Sequence, residues 1–123
     1  MNIIINTSSM TPIYEQIVEI IKKSIVSAEL LPGEGLPSVR ALSGELKISA
    51  LTVKKAYDKL EEEGFTETVH GKGTYVRTAD PALIREQQLR ELEEDIAATV
   101  EKARRYGITE EELREIFDIV TEV

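Results

Sequence analysis

A mostly helical α+β fold is predicted for this 123-residue chain by three observations. Leu36–Phe65 reads as two short helices meeting at a tight corner. A glycine-centred hairpin follows, and a capped, heavily charged pair of helices closes the sequence. Together they divide the chain into a front domain over residues 1–78 and a helical tail over residues 79–123.

Taken in order, Asn2–Asn6 is a β-prone run, read as a strand or as an arm packing onto a neighbour. Thr11-Pro12 is a helix start, a capping residue followed by proline at the first helical position. Ile13, Ile17, Ile20, Ile21 and Ile25 then recur at helical spacing and mark one buried face. Val18 and Val26 fall off that stripe and are expected to meet another chain or the tail. Leu30–Pro37 holds two prolines and two glycines, so it is a structured turn and not a helix.

Ser38 is placed to cap a helix from Val39 to about Leu46, and Ser49 a second from Ala50 to about Glu63, ended by Gly64. Only Lys47 and Ile48 separate the two. Helices this short and this closely joined match a helix-turn-helix, whose second helix is built to enter the DNA major groove. Val39, Leu42 and Leu46 point inward from the first helix, and Val53, Ala56, Tyr57 and Leu60 from the second. Leu51, Thr52, Lys54, Lys55 and Asp58 are left outward or sideways. Lys54 and Lys55 suit phosphate contacts, although lysine also occupies a solvated helix surface by default.

FTETV at Phe65–Val69 and GTYVRT at Gly73–Thr78 alternate apolar and polar residues on either side of His70-Gly71-Lys72, a hairpin signal. Placed directly after a candidate recognition helix, such a hairpin is a wing. Its tip, Gly71-Lys72-Gly73, offers bare backbone and one cation for a close approach to phosphates or a minor groove. Taken alone, the same glycines serve any turn.

Asp80-Pro81 repeats the cap-then-proline signal and opens a helix to about Tyr106, stopped by Gly107. Thr109 and Glu112 form a capping box for the last helix, with Ile108 and Leu113 as its hydrophobic staple. Leu89, Leu92, Ile96, Val100 and Ala103 on one helix, and Leu113, Ile116, Phe117 and Val120 on the other, form a narrow apolar seam flanked by Glu and Arg. A helical hairpin this small buries too little surface to stand alone, so it is expected to pack on the front domain or on a second copy. Its seam favours a second copy of the chain, giving a homodimer.

Composition bounds the function. The net charge is −8, but residues 1–78 carry 9 basic against 10 acidic side chains and residues 79–123 carry 6 against 13. The acid thus sits in the tail, and the front is nearly neutral, which is compatible with a local face for nucleic acid. Aromatics at 5% are too scarce for a base-stacking platform. No apolar run approaches the roughly 18 residues of a membrane span, and the N-terminus lacks the features of a secretory signal. With no cysteine the chain has no disulfide, zinc-thiolate site or thiol nucleophile and fits a reducing cytoplasm.

The wording of the sequence resembles the GntR family of bacterial transcription regulators, and its tail is similar to that of the YtrA-type subfamily. The resemblance lies in PIYEQI at Pro12–Ile17, PGEGLPSVRAL at Pro32–Leu42, TVKKAYDKLEEEGF at Thr52–Phe65 and GKGTYV at Gly71–Val76. It implies a winged helix-turn-helix in front and a dimerising tail behind. It also implicates Ser38, Arg40, Ser49, Thr52, Lys54, Gly71 and Gly73 in operator contact, beside the outward Leu51, Lys55 and Lys72. The chain departs from the family pattern at Ala50 and at His70, where arginine is frequent, and at Leu51, where a polar residue is frequent. Leu51 suits an apolar contact with a thymine methyl. The family's metal-dependent sensing needs a larger C-terminal domain, and this tail contains no histidine.

The expected function is therefore a sequence-specific DNA-binding regulator, a repressor that binds double-stranded palindromic operator DNA as a homodimer, without cofactor or metal and without a membrane partner. An unidentified small-molecule effector is compatible with this, though no constellation of residues specifies one. The alternative is a winged-helix protein-interaction module without DNA binding, supported by the acidity, Ala50 and Leu51. An enzyme is rejected: the single histidine, His70, falls at a hairpin turn, there is no cysteine, and no acid pair clusters outside the helix surfaces.

Overall fold

A computed structural model describes residues 1–78 and 80–122 of the chain; Ala79 and Val123, the first and last residues of the expected tail, lie outside the described residues. The elements run α1 (Ile13–Val26), α2 (Val39–Leu46), α3 (Ala50–Glu62), β1 (Thr66–Val69), β2 (Gly73–Val76), α4 (Pro81–Arg105) and α5 (Glu110–Thr121).

The core forms where α1 and α3 face each other. Ile17, Val18, Ile21 and Ile25 of α1 pack with Leu42 of α2, with Val53, Ala56, Tyr57 and Leu60 of α3, and with Phe65 and Val76. Val18 is thus a core residue, contrary to the expectation that it faces another chain or the tail. The row Val18, Lys22 and Ile25 widens the buried arc of α1 beyond the isoleucine stripe, whereas Ile20 is only half-buried. Thr11 does not cap α1. Pro12 occupies the cap position without a side-chain bond, and Gln16 Nε2 donates to the Thr11 carbonyl at 2.9 Å. Gln16 also binds both backbone groups of Asn6. Residues 2–6 accordingly form an arm and not a strand; it folds onto its own domain, with Ile3 and Ile5 packed against the core.

One buried cation belongs to this core. Lys22 is 2% exposed; its Nζ lies 2.8 Å from Glu63 Oε2 and 3.8 Å from Glu19 Oε1, with the Phe65 ring centroid 5.3 Å away. The pair joins α1 to the end of α3, where Gly64 turns the chain with φ +87°.

β1 and β2 pair antiparallel, with Thr66 opposite Val76 and Val69 opposite Gly73. The Leu30–Pro37 segment does more than turn. Gly33 N donates to Val76 O at 2.7 Å, Val76 N to Glu34 O at 2.9 Å and Leu36 N to Thr74 O at 2.9 Å. Residues 33–36 thereby run alongside β2, joined to the two-stranded sheet by an isolated bridge at Gly35–Tyr75. The Tyr75 ring lies against Gly35, 3.5 Å from its Cβ position, an ordinary packing contact.

The chain divides into two compact units, Met1–Gln87 and Gln88–Val123. The division falls inside α4, later than the 78/79 boundary, because the start of the helix is part of the front unit. Asp80 Oδ1 accepts from Ala82 N, Leu83 packs against the core, and Gln87 is buried with its Nε2 3.5 Å from Glu19 Oε2. In the second unit, Gly107 turns the chain at φ +71°, and the Thr109–Glu112 capping box is present in both directions. No described residue of α5 is buried.

Candidate nucleic-acid interface

The helix-turn-helix is set by its two serines. Ser38 Oγ accepts from Ala41 N at 3.0 Å and Ser49 Oγ from Leu51 N at 3.1 Å. Each hydroxyl satisfies an otherwise orphaned amide and keeps its own proton to donate. Lys47 closes α2 in the left-handed conformation, φ +57°, which makes the corner tight. Neither α2 nor α3 has an acidic residue in its first turn, whereas α5 has Glu110, Glu111 and Glu112 there. The positive ends of the α2 and α3 dipoles are therefore left uncompensated by the chain, the condition that favours phosphate.

Ser38, Arg40, Ser49, Leu51, Lys54, Lys55, Gly71, Lys72 and Gly73 are all exposed, and Thr52 is half-buried. Leu51 is 77% exposed, so this large apolar side chain on α3 has no intramolecular reason to be there. Two adjacent lysines on the outer face of α3 differ. Lys54 is spent on Asp58 at 2.8 Å. Lys55 Nζ instead lies over the Tyr14 ring, 4.1 Å from its centroid. Arg40, Lys55 and Lys72 form no ion pair among the described residues.

What holds these groups in common register is a link the sequence reading missed. Tyr57, buried on α3, donates its hydroxyl to the Pro37 carbonyl at 2.7 Å. This fixes the residue before Ser38 against the helix that carries Leu51 and Lys54. Burial pushes the Tyr57 phenol up to about 12 from 10.0, so it stays a donor at any ordinary pH. Residues 33–36, just before Pro37, are bonded to β2. Arg40, the outer face of α3 and the wing are thus tied through one segment, Gly33–Ser38.

At the wing tip, Gly71 and Gly73 have φ of +78° and +132°, and neither has a heavy atom within 4 Å of its Cβ position. Lys72 N closes the turn on Val69 O. The glycines are required by backbone geometry and leave the tip bare. His70 is exposed beside it. Leu51, Lys54, Lys55, Asp58, Lys59 and Glu62 of α3 line one side of an open groove of about 410 Å³, with Tyr14 of α1 also at its wall. Among the described residues no group of three or more His, Cys, Asp or Glu could hold a metal ion. No helix among them is long and apolar enough to cross a membrane.

Comparison with known proteins follows the same lines. The family described as bacterial regulatory proteins, gntR family, matches residues 13–76. The HTH-type transcriptional repressor YtrA of Bacillus subtilis (strain 168) is 36% identical over 111 residues, covering 90% of this chain and 85% of YtrA. A GntR family transcriptional regulator from Listeria monocytogenes superimposes with a TM-score of 0.69 at 30% identity, over 94% of this chain and 97% of that one. The DNA-binding domain of AraR, solved in complex with the operator ORX1, has a TM-score of 0.55 at 28% identity, over 62% of this chain and 95% of that one.

Proposed function

Because the chain belongs to the GntR family of bacterial transcriptional regulators, we propose that it is a cytoplasmic repressor that binds a palindromic operator as a homodimer. The observation that carries this reading is the exposure of Arg40, Leu51, Lys55 and Lys72 on a helix-turn-helix and wing whose two helix N-termini are free of acid, with α3 bonded to the approach to α2 through Tyr57 and Pro37. α3 would lie in the major groove with Leu51 toward base edges. Ser38, Arg40, Ser49, Thr52, Lys54 and Lys55 would contact the backbone or bases, and the Gly71-Lys72-Gly73 tip would reach the phosphates alongside.

Dimerisation falls to the tail. Leu89, Leu92, Ile96, Ile116, Phe117, Ile119 and Val120 are exposed large apolar side chains in the second unit, with Val100 and Leu113 half-buried. An apolar surface of that kind calls for a partner, and a second copy of the chain supplies the matching seam. Ala103 is an exception in the expected seam, since it is already buried within its own chain. Two-fold symmetry then places half-sites about one helical turn, roughly 10 base pairs, apart.

Selection of bound DNA from a random pool at near-physiological salt tests the reading. An enriched palindrome with that spacing supports it. A pool that stays random counts against it and favours a protein-interaction role for the exposed Leu51 face. If about eight phosphates are neutralised per dimer, affinity falls roughly 10⁴-fold between 50 and 200 mM salt.

A further inference from the structure

Tyr14 lies outside the isoleucine stripe of α1 and packs at the edge of the core, where it also stands beside the outer face of α3. Its ring is half-buried and carries the Lys55 ammonium 4.1 Å from its centroid. Its hydroxyl donates to Glu15 Oε1 of the next residue at 3.1 Å, which raises the phenol above its ordinary range. Lys55 lies one helical turn after Leu51 on α3, and both line the groove that Tyr14 helps to wall. A lysine on an open helix surface samples many rotamers and loses that freedom when it meets a phosphate. An aromatic face confines the ammonium beforehand without neutralising it, as a carboxylate would. The neighbouring Lys54 shows the other outcome: Asp58 lies 2.8 Å from it, and Lys54 must give up that exposed pair to meet a phosphate.

We propose that Tyr14, on α1, is a positioning residue of the DNA interface, holding Lys55 as an uncompensated cation for a backbone phosphate beside the bases that Leu51 faces. The inference rests on the DNA-binding reading above. The phosphate contact is made by Lys55, and Tyr14 acts through it. The ring does the work, so the hydroxyl is dispensable.

The test is a double-mutant cycle on the full-length protein with an operator obtained by selection, measured at two salt concentrations, with thermal stability recorded for each variant. Tyr14→Leu is expected to weaken operator binding by roughly two- to fivefold per half-site, and Tyr14→Phe to restore it. In a Lys55→Ala background Tyr14→Leu should have no further effect. Lys55→Ala itself should reduce the salt slope by about one per half-site. If Tyr14→Leu lowers affinity equally with and without Lys55, or lowers only the melting temperature, Tyr14 is a packing residue and the proposal is wrong. If the unmodified protein selects no DNA, the DNA-binding reading itself has failed, an outcome distinct from a cycle without coupling.

Discussion

The Tyr57 hydroxyl donates to the Pro37 carbonyl across 2.7 Å, joining residues twenty positions apart in the chain. It is the bond through which α3 holds the approach to α2, and it is buried at the donor end. Tyr57→Phe leaves the Pro37 carbonyl without this partner and is expected to cost about 1–2 kcal/mol of stability. Operator affinity should fall with it, as Arg40 and Leu51 lose their shared reference. Denaturant unfolding and operator titration check both effects.

The same phenol predicts an alkaline limit. It ionises near 10.0 when exposed and near 12 in the folded protein. Below 10 both states keep the proton and stability does not respond. As pH rises through 10 toward 12 the unfolded state loses it first, and stability falls. Melting temperature followed over this interval should decline more steeply for the unmodified protein than for Tyr57→Phe.

Arg40 sits in the first turn of α2, exposed and without an ion pair among the described residues. Arg40→Ala is expected to leave folding and self-association unchanged and to weaken operator binding by about 1–3 kcal/mol, roughly five- to 150-fold. Binding assays beside sedimentation separate the two. An affinity insensitive to Arg40 would favour the protein-interaction alternative.

Phe117 is 60% exposed on α5, next to Ile116 and near Val120. Phe117→Glu should place a charge in the proposed seam and yield a monomer by sedimentation equilibrium. Loss of the second half-site contact then lowers apparent operator affinity by roughly 10² or more. A dimer that survives this change would move the interface elsewhere.

Thr66 offers a stability prediction independent of function. Its Oγ1 is buried without a hydrogen-bond partner. Thr66→Val keeps the shape, removes the unsatisfied group and should raise stability by about 1 kcal/mol. A lower denaturation midpoint would show that the hydroxyl has a role.

The order of elements was legible in the sequence because its signals are local. Ser38, Ser49, the Thr109–Glu112 box, Gly64 and Gly107 all act within a few residues of themselves. The candidate contacts were legible for a related reason: Leu51, Lys54 and Lys55 face outward wherever the helix periodicity buries Val53, Ala56 and Tyr57. Long-range features were not. The burial of Lys22 left no mark in the sequence, because nothing near it in the chain reveals Glu63 as its partner. Tyr57 reads as core, which is true but omits its hydroxyl. Gly33–Leu36 reads as a turn, since its strand partner, β2, lies some forty residues away. Val18 was misplaced because periodicity marks the centre of a buried face and not its width.

The pairing of residues 33–36 with β2 has a consequence for the protein in concentrated solution. A two-stranded hairpin presents two open flanks of amide and carbonyl groups, and each is a template onto which a strand of another molecule can add. Here one flank is already occupied by the protein's own backbone through Gly33, Glu34 and Leu36. The β1 flank is four residues long, its Thr68 N donates to Glu61 Oε1 at 3.1 Å, and Glu67 adds an exposed carboxylate. The segment that orients the wing therefore also guards it against edge-to-edge self-association.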